Sequence, residues 1–236
     1  LMRLFYEPDV MRHWLSPEES HHCVKVLRMR KGALIQLVDG KGRFYKVEIL
    51  EADPKKCTFS IIEEITHPPD SFYVHVALAP TKNIDRMAWM VEKCVEIGIH
   101  EISFLTTKNT ERKVLKEEKL KKVAIQAMKQ SRHAFLPKIN SLITFKAFLQ
   151  RSPTEEQLFI AHIAEQGEHY PVFAKLLLPA KRCCILVGPE GDFTQQEVAA
   201  ALEKNYLAVS LGNNRLRTET AGLVACHTIH LVNMLS

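Results

Sequence analysis

The spacing of apolar residues changes once along the chain. Up to about residue 65, short runs with partial period-two alternation (LIQLVD, RFYKVEIL and KCTFSIIEEI) predict strands, and RLFY predicts a further short one. Gly40-Lys41-Gly42 supplies the first hairpin turn. Ser16-Pro17-Glu18-Glu19 combines an N-cap serine, a proline at the first helical position and a glutamate three residues on. A helix with a reciprocal capping box is therefore expected from there through about Leu27. The pattern suggests a small β-barrel carrying one helix.

Thr66 to Ser71, THPPDS, holds two prolines and no hydrophobic anchor, and is expected to link residues 1–70 to residues 71–236. Beyond it strands alternate with helices. FYVHVAL, ISFLTT, QLFIAHI, CCILVG and LAVSL read as strands, and 83–97, 116–132, 170–177, 194–204 and 218–234 read as helices. This rhythm predicts an α/β domain with a mainly parallel sheet covered on both faces, where ligands bind beyond the carboxyl ends of the strands. Two glycine-bearing turns, after CCILV and after LAVSL, lie at such ends.

Composition narrows the class. With 236 residues, 46% of them hydrophobic and 25% charged, the chain can bury a real core. No apolar run approaches the roughly 20 residues needed to span a bilayer, and the start lacks the order of a signal peptide, so a cytosolic protein with no membrane partner is expected. Leu1 precedes Met2, the expected natural start. Cys23, Cys57, Cys94, Cys183, Cys184 and Cys226 show no metal-ligand spacing and read as reduced packing residues. The net charge of +5 is unevenly spread: His21 to Lys31 holds four basic residues and no acid, and Lys108 to Arg132 holds nine against three glutamates. A polyanion-binding surface and a solvated helix face both account for this clustering.

Signatures for nucleoside triphosphate, dinucleotide, serine-hydrolase and zinc-protease sites are missing. His227 and His230, three apart on an apolar helix with no acidic neighbour in sequence, read as packed or hydrogen-bonded histidines, and no metal site is expected. The pair His21-His22 lies in the basic helix, where contact with RNA and a plain surface role are equally open. ILVGPEGDFTQQEV contains a second capping box, Thr194 with Glu197, and a hydrophobic staple, Phe193 with Val198. Helix capping explains Thr194 onward but not Gly188-Pro189-Glu190-Gly191, where bare backbone and one carboxylate suit a flat ligand. In LGNNRLRTETAG, Thr218 is the expected N-cap, which leaves Arg215 and Arg217 unexplained.

These stretches carry a resemblance. Gly188-Pro189-Glu190-Gly191, Leu211-Gly212 and Leu216-Arg217-Thr218-Glu219-Thr220-Ala221 resemble the cofactor loops of the knotted SPOUT methyltransferases, specifically the 16S ribosomal RNA uridine N3-methyltransferases. His22, Val26-Leu27-Arg28, Gly32 and Asp39-Gly40 are similar to that family's PUA-like RNA-binding barrel. Lys82, Met90 to Lys93, Glu96 to Gly98, Gln130 to Arg132 and Leu136-Pro137 are similar to its catalytic segments. Two departures stand out: Asp192 takes the place of a second glycine, and Asn214-Arg215 that of an Arg-Ile pair.

The resemblance implies a SPOUT-type α/β fold with a parallel sheet and a C-terminal trefoil knot, preceded by the PUA-like β-barrel, and a homodimer acting on 16S rRNA in the small ribosomal subunit. It implies S-adenosylmethionine as cofactor, held by Leu186, Gly188, Pro189, Glu190, Gly191, Leu211, Gly212, Leu216, Thr220 and Ala221. A uracil imide is a poor nucleophile until it loses its proton. Arg217, a fixed planar cation, is suited to hold the resulting anion, and Glu219 is expected either to take the proton or to cap the helix. Arg3, His22, Arg28, Arg30, Lys82 and Arg132 are the expected RNA contacts. A related SPOUT enzyme methylating a ribose 2′-hydroxyl and a non-catalytic RNA-binding assembly factor remain alternatives.

Overall fold

A computed structural model describes residues 2–163 and 169–236; Leu1, ahead of the expected start, lies outside them. The chain divides into two units, Leu1–Pro69 with Met128–Leu136, and Asp70–Ala127 with Pro137–Ser236.

In the first unit β1 (Leu4–Tyr6) runs parallel to β2 (Leu34–Val38), while β3 (Arg43–Glu51) is antiparallel both to β2 and to β4 (Thr58–Thr66). The sheet order is β1-β2-β3-β4, and a bridge between Trp14 and Thr58 extends the β4 edge. Its inner face buries Phe5, Leu15, Ile35, Leu37, Val47 and Ile49 completely, each contributing about 1.5–3 kcal/mol. The β2–β3 turn is held from within by Asp39, whose Oδ1 accepts from the Lys41 and Arg43 amides. The Gly40 carbonyl accepts from the Leu136 amide, and the Gly42 amide donates to the Ala134 carbonyl. Gly42 has φ +106°, and a Cβ there would lie 2.6 Å from the Phe135 ring, so only glycine fits.

The first helix departs from expectation. Ser16 caps α1 (Pro17–His21) by accepting from the Glu19 amide. The Glu19 carboxylate does not return to Ser16, however; it accepts from the Tyr6 amide and pairs with Lys129 at 2.5 Å, so only half of the box forms. Residues His22–Val26 wind as a π-helix, with the Leu27 amide donating to His22.

The second unit is built on six parallel strands: β5 (Tyr73–Leu78), β6 (Glu101–Thr106), β7 (Lys138–Thr144), β8 (Gln157–Ala161), β9 (Arg182–Val187) and β10 (Leu207–Val209). They stand in the order β10-β8-β9-β5-β6-β7. The helices are α2 (Ile84–Ile97), α3 (Glu117–Ser131), α4 (Phe145–Leu149), α5 (Phe173–Leu176), α6 (Gln195–Leu202) and α7 (Thr218–Met234). α3 begins in the second unit and ends in the first. Asn83 caps α2 by accepting from the Asp85 amide, and Gly98, at φ +109°, ends it. β7 and α4 go beyond the five strands and five helices expected. Phe193 and Val198 are buried in one apolar cluster behind the complete Thr194–Glu197 capping box. All six cysteines are free and buried.

At the amino ends of these strands lies a buried polar network. His75 Nδ1 meets Glu155 Oε1 at 2.5 Å and its Nε2 meets Ser103 Oγ at 2.8 Å. Arg151 donates to both oxygens of Glu155. Asn140 donates to Glu101 and Ser103, and the Tyr73 hydroxyl donates to Glu101. Burial pushes the His75 imidazole down, but Cys184, Glu155 and Glu101 beside it push harder the other way, to about 9. Burial likewise raises Glu155, and His75 and Arg151 outweigh it, lowering the carboxyl to about 2.

Candidate functional site

The carboxyl ends of β8, β9 and β10 meet at one turn. Leaving β9, Gly188 to Asp192 closes on itself through the Asp192 amide, which donates to the Pro189 carbonyl. Gly188 is packed so closely that an added Cβ would lie 3.0 Å from Asp192 Oδ1 and 3.1 Å from the Phe193 ring. Four neighbouring segments hold this turn. Asn109, after β6, donates to the Gly191 and Asp192 carbonyls, both at 3.0 Å. Asp192 accepts from the Ile163 amide, after β8. Arg215, after β10, donates to the Glu190 carbonyl at 2.8 Å, and Thr218 Oγ1, on the first turn of α7, donates to the Gly188 carbonyl at 3.0 Å. Arg215 and Asp192, the two places where the chain departs from the resembled pattern, are thus both ties.

Between these segments lies a cavity of about 610 Å³. Gly188, Pro189 and Glu190 line one side of it, and Leu211, Gly212, Leu216 and Ala221 another. His162, Tyr170, Asp192 and Arg215 also line it. Sequence reasoning assigned none of these four to the cofactor, since His162 and Tyr170 stand in no motif. Three expected residues do not line the cavity. Leu186 is wholly buried, with its backbone paired to β5 on one side and β8 on the other. Gly191 turns toward Asn109. On α7, Thr218 and Ala221 share the face toward the cavity, and Thr220 falls off that face.

Arg217, not Thr218, is the N-cap of α7. Its side chain is exposed, makes no capping hydrogen bond and does not line the cavity, although Leu216 and Thr218 on either side of it do. Arginine is a poor choice there: it supplies no acceptor for the free helix amides and sets a positive charge at the positive end of the helix dipole. Glu219 is 6% exposed, with Oε1 3.6 Å from Arg86 and Oε2 buried without a hydrogen-bond partner.

Of the expected RNA contacts, Arg3, His22, Arg28, Arg30 and Arg132 belong to the first unit and are all exposed. Arg28 and Arg132 take positive φ values, and Arg132 hydrogen-bonds Gln36. His22 packs edge-on against Phe5. Lys82 belongs to the second unit and pairs with Glu111 at 3.1 Å. It lines a second cavity with Arg86 and Arg112, and Glu190 borders both cavities. His230 donates to the Gly98 carbonyl, while His227 is exposed. Among the described residues, one group of three potential metal ligands lies close together, His75, Glu155 and Cys184; the Arg151 guanidinium shares that space, 3.5 Å from Cys184 Sγ.

A family model described as an RNA methyltransferase domain matches residues 68–230, and one described as an RNA methyltransferase PUA domain matches residues 15–62. The ribosomal RNA small subunit methyltransferase E of Bacillus subtilis is 28% identical over 226 residues, covering 91% of this chain and 88% of its own. A probable rRNA-methyltransferase from Porphyromonas gingivalis matches in structure with a TM-score of 0.92 at 39% identity, over 99% of both chains. The ribosomal RNA small subunit methyltransferase E from Neisseria gonorrhoeae, solved bound to S-adenosyl methionine, matches with a TM-score of 0.83 at 25% identity over 98% of both chains.

Proposed function

Since the chain belongs to the RNA methyltransferase family, we propose that it transfers a methyl group from S-adenosylmethionine to N3 of one uridine in 16S rRNA of the small ribosomal subunit. The observation that carries this reading is the glycine-walled cavity at the ends of β8, β9 and β10. At about 610 Å³ the cavity suits a cofactor-sized molecule. Its wall offers bare glycine backbone for a flat ring and the carboxylate of Glu190 for a cationic ligand. The cofactor supplies the activated methyl; the chain supplies position and charge.

Arg217 occupies a place where local helix stability favours serine, threonine or aspartate, so its charge serves something outside the helix. On this reading the exposed guanidinium, carried between the cavity-lining Leu216 and Thr218, meets an incoming base and holds the negative charge that spreads over the uracil carbonyls when N3 loses its proton. Alignment of N3 with the methyl group supplies much of the remaining rate. A paired or stacked uracil hides N3, so the target nucleotide is unpaired or extruded. The exposed Arg3, His22, Arg28, Arg30 and Arg132, together with Lys82, serve as contacts to the RNA, and binding weakens steeply with salt.

The family resemblance supports a trefoil knot in the segment from β9 to α7, and the sheet order, with β9 between β8 and β5, is compatible with one. It also supports a homodimer, for which the exposed Leu231, Met234 and Leu235 near the end of α7 offer an apolar surface. Among the described residues no helix is long and apolar enough to cross a membrane. The test is to incubate the protein with labelled S-adenosylmethionine and small subunits lacking the modification, then digest the RNA and map the label by mass spectrometry. A base-methylated uridine is expected; a ribose-methylated nucleotide, or no transfer, overturns the reading.

A further inference from the structure

Asp192 sits at φ +60°, a conformation that glycine adopts far more readily than any residue with a side chain. Its carboxylate gives a reason for its presence. Oδ1 accepts from the Phe193 amide at 2.7 Å, and Oδ2 accepts from the Ile163 amide at 3.0 Å while lying 3.0 Å from His162 Nδ1. His162 and Ile163 are the first two residues beyond β8, and with Asp192 they line the cavity described above. A carboxylate is a pure acceptor with room for several donors, so one side chain joins two loops.

We propose that Asp192 is a positioning residue for the cofactor: it ties the exit of β8 to the turn after β9 and so sets the width of the slot in which S-adenosylmethionine lies. This rests on the cofactor reading given above. The carboxylate is held ionised at neutral pH. Burial alone would raise its pKa, but the His162 imidazole and the amides of Ile163 and Phe193 outweigh burial and keep it below the ordinary carboxylate value. Asp192 therefore acts before any chemistry, by presetting two backbone segments that would otherwise be ordered at the expense of binding. Its loss should weaken cofactor binding and leave the chemical step alone.

Two variants test this. Asp192→Asn tolerates the same backbone conformation and keeps one acceptor oxygen, but it cannot accept from Phe193 and Ile163 through separate oxygens. Asp192→Gly suits the conformation better and removes both acceptors. Calorimetry with S-adenosylmethionine is expected to show roughly tenfold or greater weakening in each, the size of one charge-assisted hydrogen bond. The KM for the cofactor should rise in parallel, while kcat at saturating cofactor stays within about twofold. Wild-type affinity in both variants, or a fall in kcat with the cofactor KM unchanged, overturns the proposal.

Amide hydrogen exchange on the wild-type chain keeps the test independent of whether the variants fold. Added S-adenosylmethionine should slow exchange at Ile163 and Phe193 together; rapid exchange at Ile163 with cofactor present overturns the tie. Wild-type affinity is measured first. No binding there overturns the cofactor reading and this one together, whereas normal wild-type binding with unaffected variants overturns this one alone.

Discussion

The two ends of the parallel sheet treat charge in opposite ways. At the amino ends, Glu155 is almost wholly buried, and its two oxygens share His75, Arg151 and the Thr154 amide. Glu101 is held there by Tyr73, Asn140 and Lys138. At the carboxyl ends the ties run mostly to backbone carbonyls, and Arg217 is exposed. Ion pairs that satisfy one another hold a fold but have little left for a ligand. An exposed charge at the start of a helix, like that of Arg217, can meet a ligand. On the function proposed above, the buried cluster of His75, Glu155 and Cys184 belongs to the structural end of the sheet, and the plainer glycine loops to its working end.

The largest effect that would sharpen this contrast comes from Glu155→Ala. Removing it strands the His75 and Arg151 cations in a buried setting, which should cost about 4 kcal/mol, or roughly 10 °C in Tm by thermal denaturation. The folded fraction should still bind S-adenosylmethionine as the wild type does. Lost cofactor affinity with an unchanged Tm would mean that the two ends do not divide their work in this way.

The same end of the sheet predicts a pH signature. The folded pKa of His75, about 9, lies above its ordinary value. Its stabilisation is therefore complete below pH ~6.5 and is lost as pH rises through about 9. For Glu155, lowered to about 2, the stabilisation is present above pH ~4.5 and is lost as pH falls through about 2. Unfolding of the wild type and of His75→Gln, compared at pH 6.5 and pH 10, should show the wild type losing roughly 3 kcal/mol more across the interval. Parallel losses in the two proteins would remove His75 from the account.

The fold was largely legible in the sequence, and the reasons are local. FYVHVAL and CCILVG are largely apolar runs because β5 and β9 are central strands, and Thr194 with Glu197 announced α6 by a motif four residues wide. β7 escaped because KINSLIT is an edge strand whose half-buried and exposed residues mix polar with apolar. The Ser16 box failed because Glu19 is drawn away by Tyr6 and Lys129, a partner 110 positions distant. The cavity wall was legible where glycine was required, at Gly188 and Gly212. It was not legible at His162 and Tyr170, which fold together with residues far away in the chain and stand in no spaced motif. Nor could spacing reveal the His75 network, whose members come from five separated segments.

The smallest expected effect on stability is the most discriminating, because its sign is unusual for a residue assigned to function. Arg217 caps α7 without an acceptor and with a charge opposed by the helix dipole. In Arg217→Ser a hydroxyl becomes available to the free amides of the first turn and the unfavourable charge is removed, so the variant should be more stable by about 1 kcal/mol, a rise of roughly 3 °C in Tm. Methyl transfer should fall by about 10²–10³-fold at saturating cofactor, the loss typical of a group that stabilises charge only during reaction, while S-adenosylmethionine affinity holds. A residue kept for structure would show the reverse, with stability falling and activity following it. If Arg217→Ser is as active as the wild type, the guanidinium has no part in the reaction, and the contrast between a self-satisfied end and a working end of the sheet loses its clearest member.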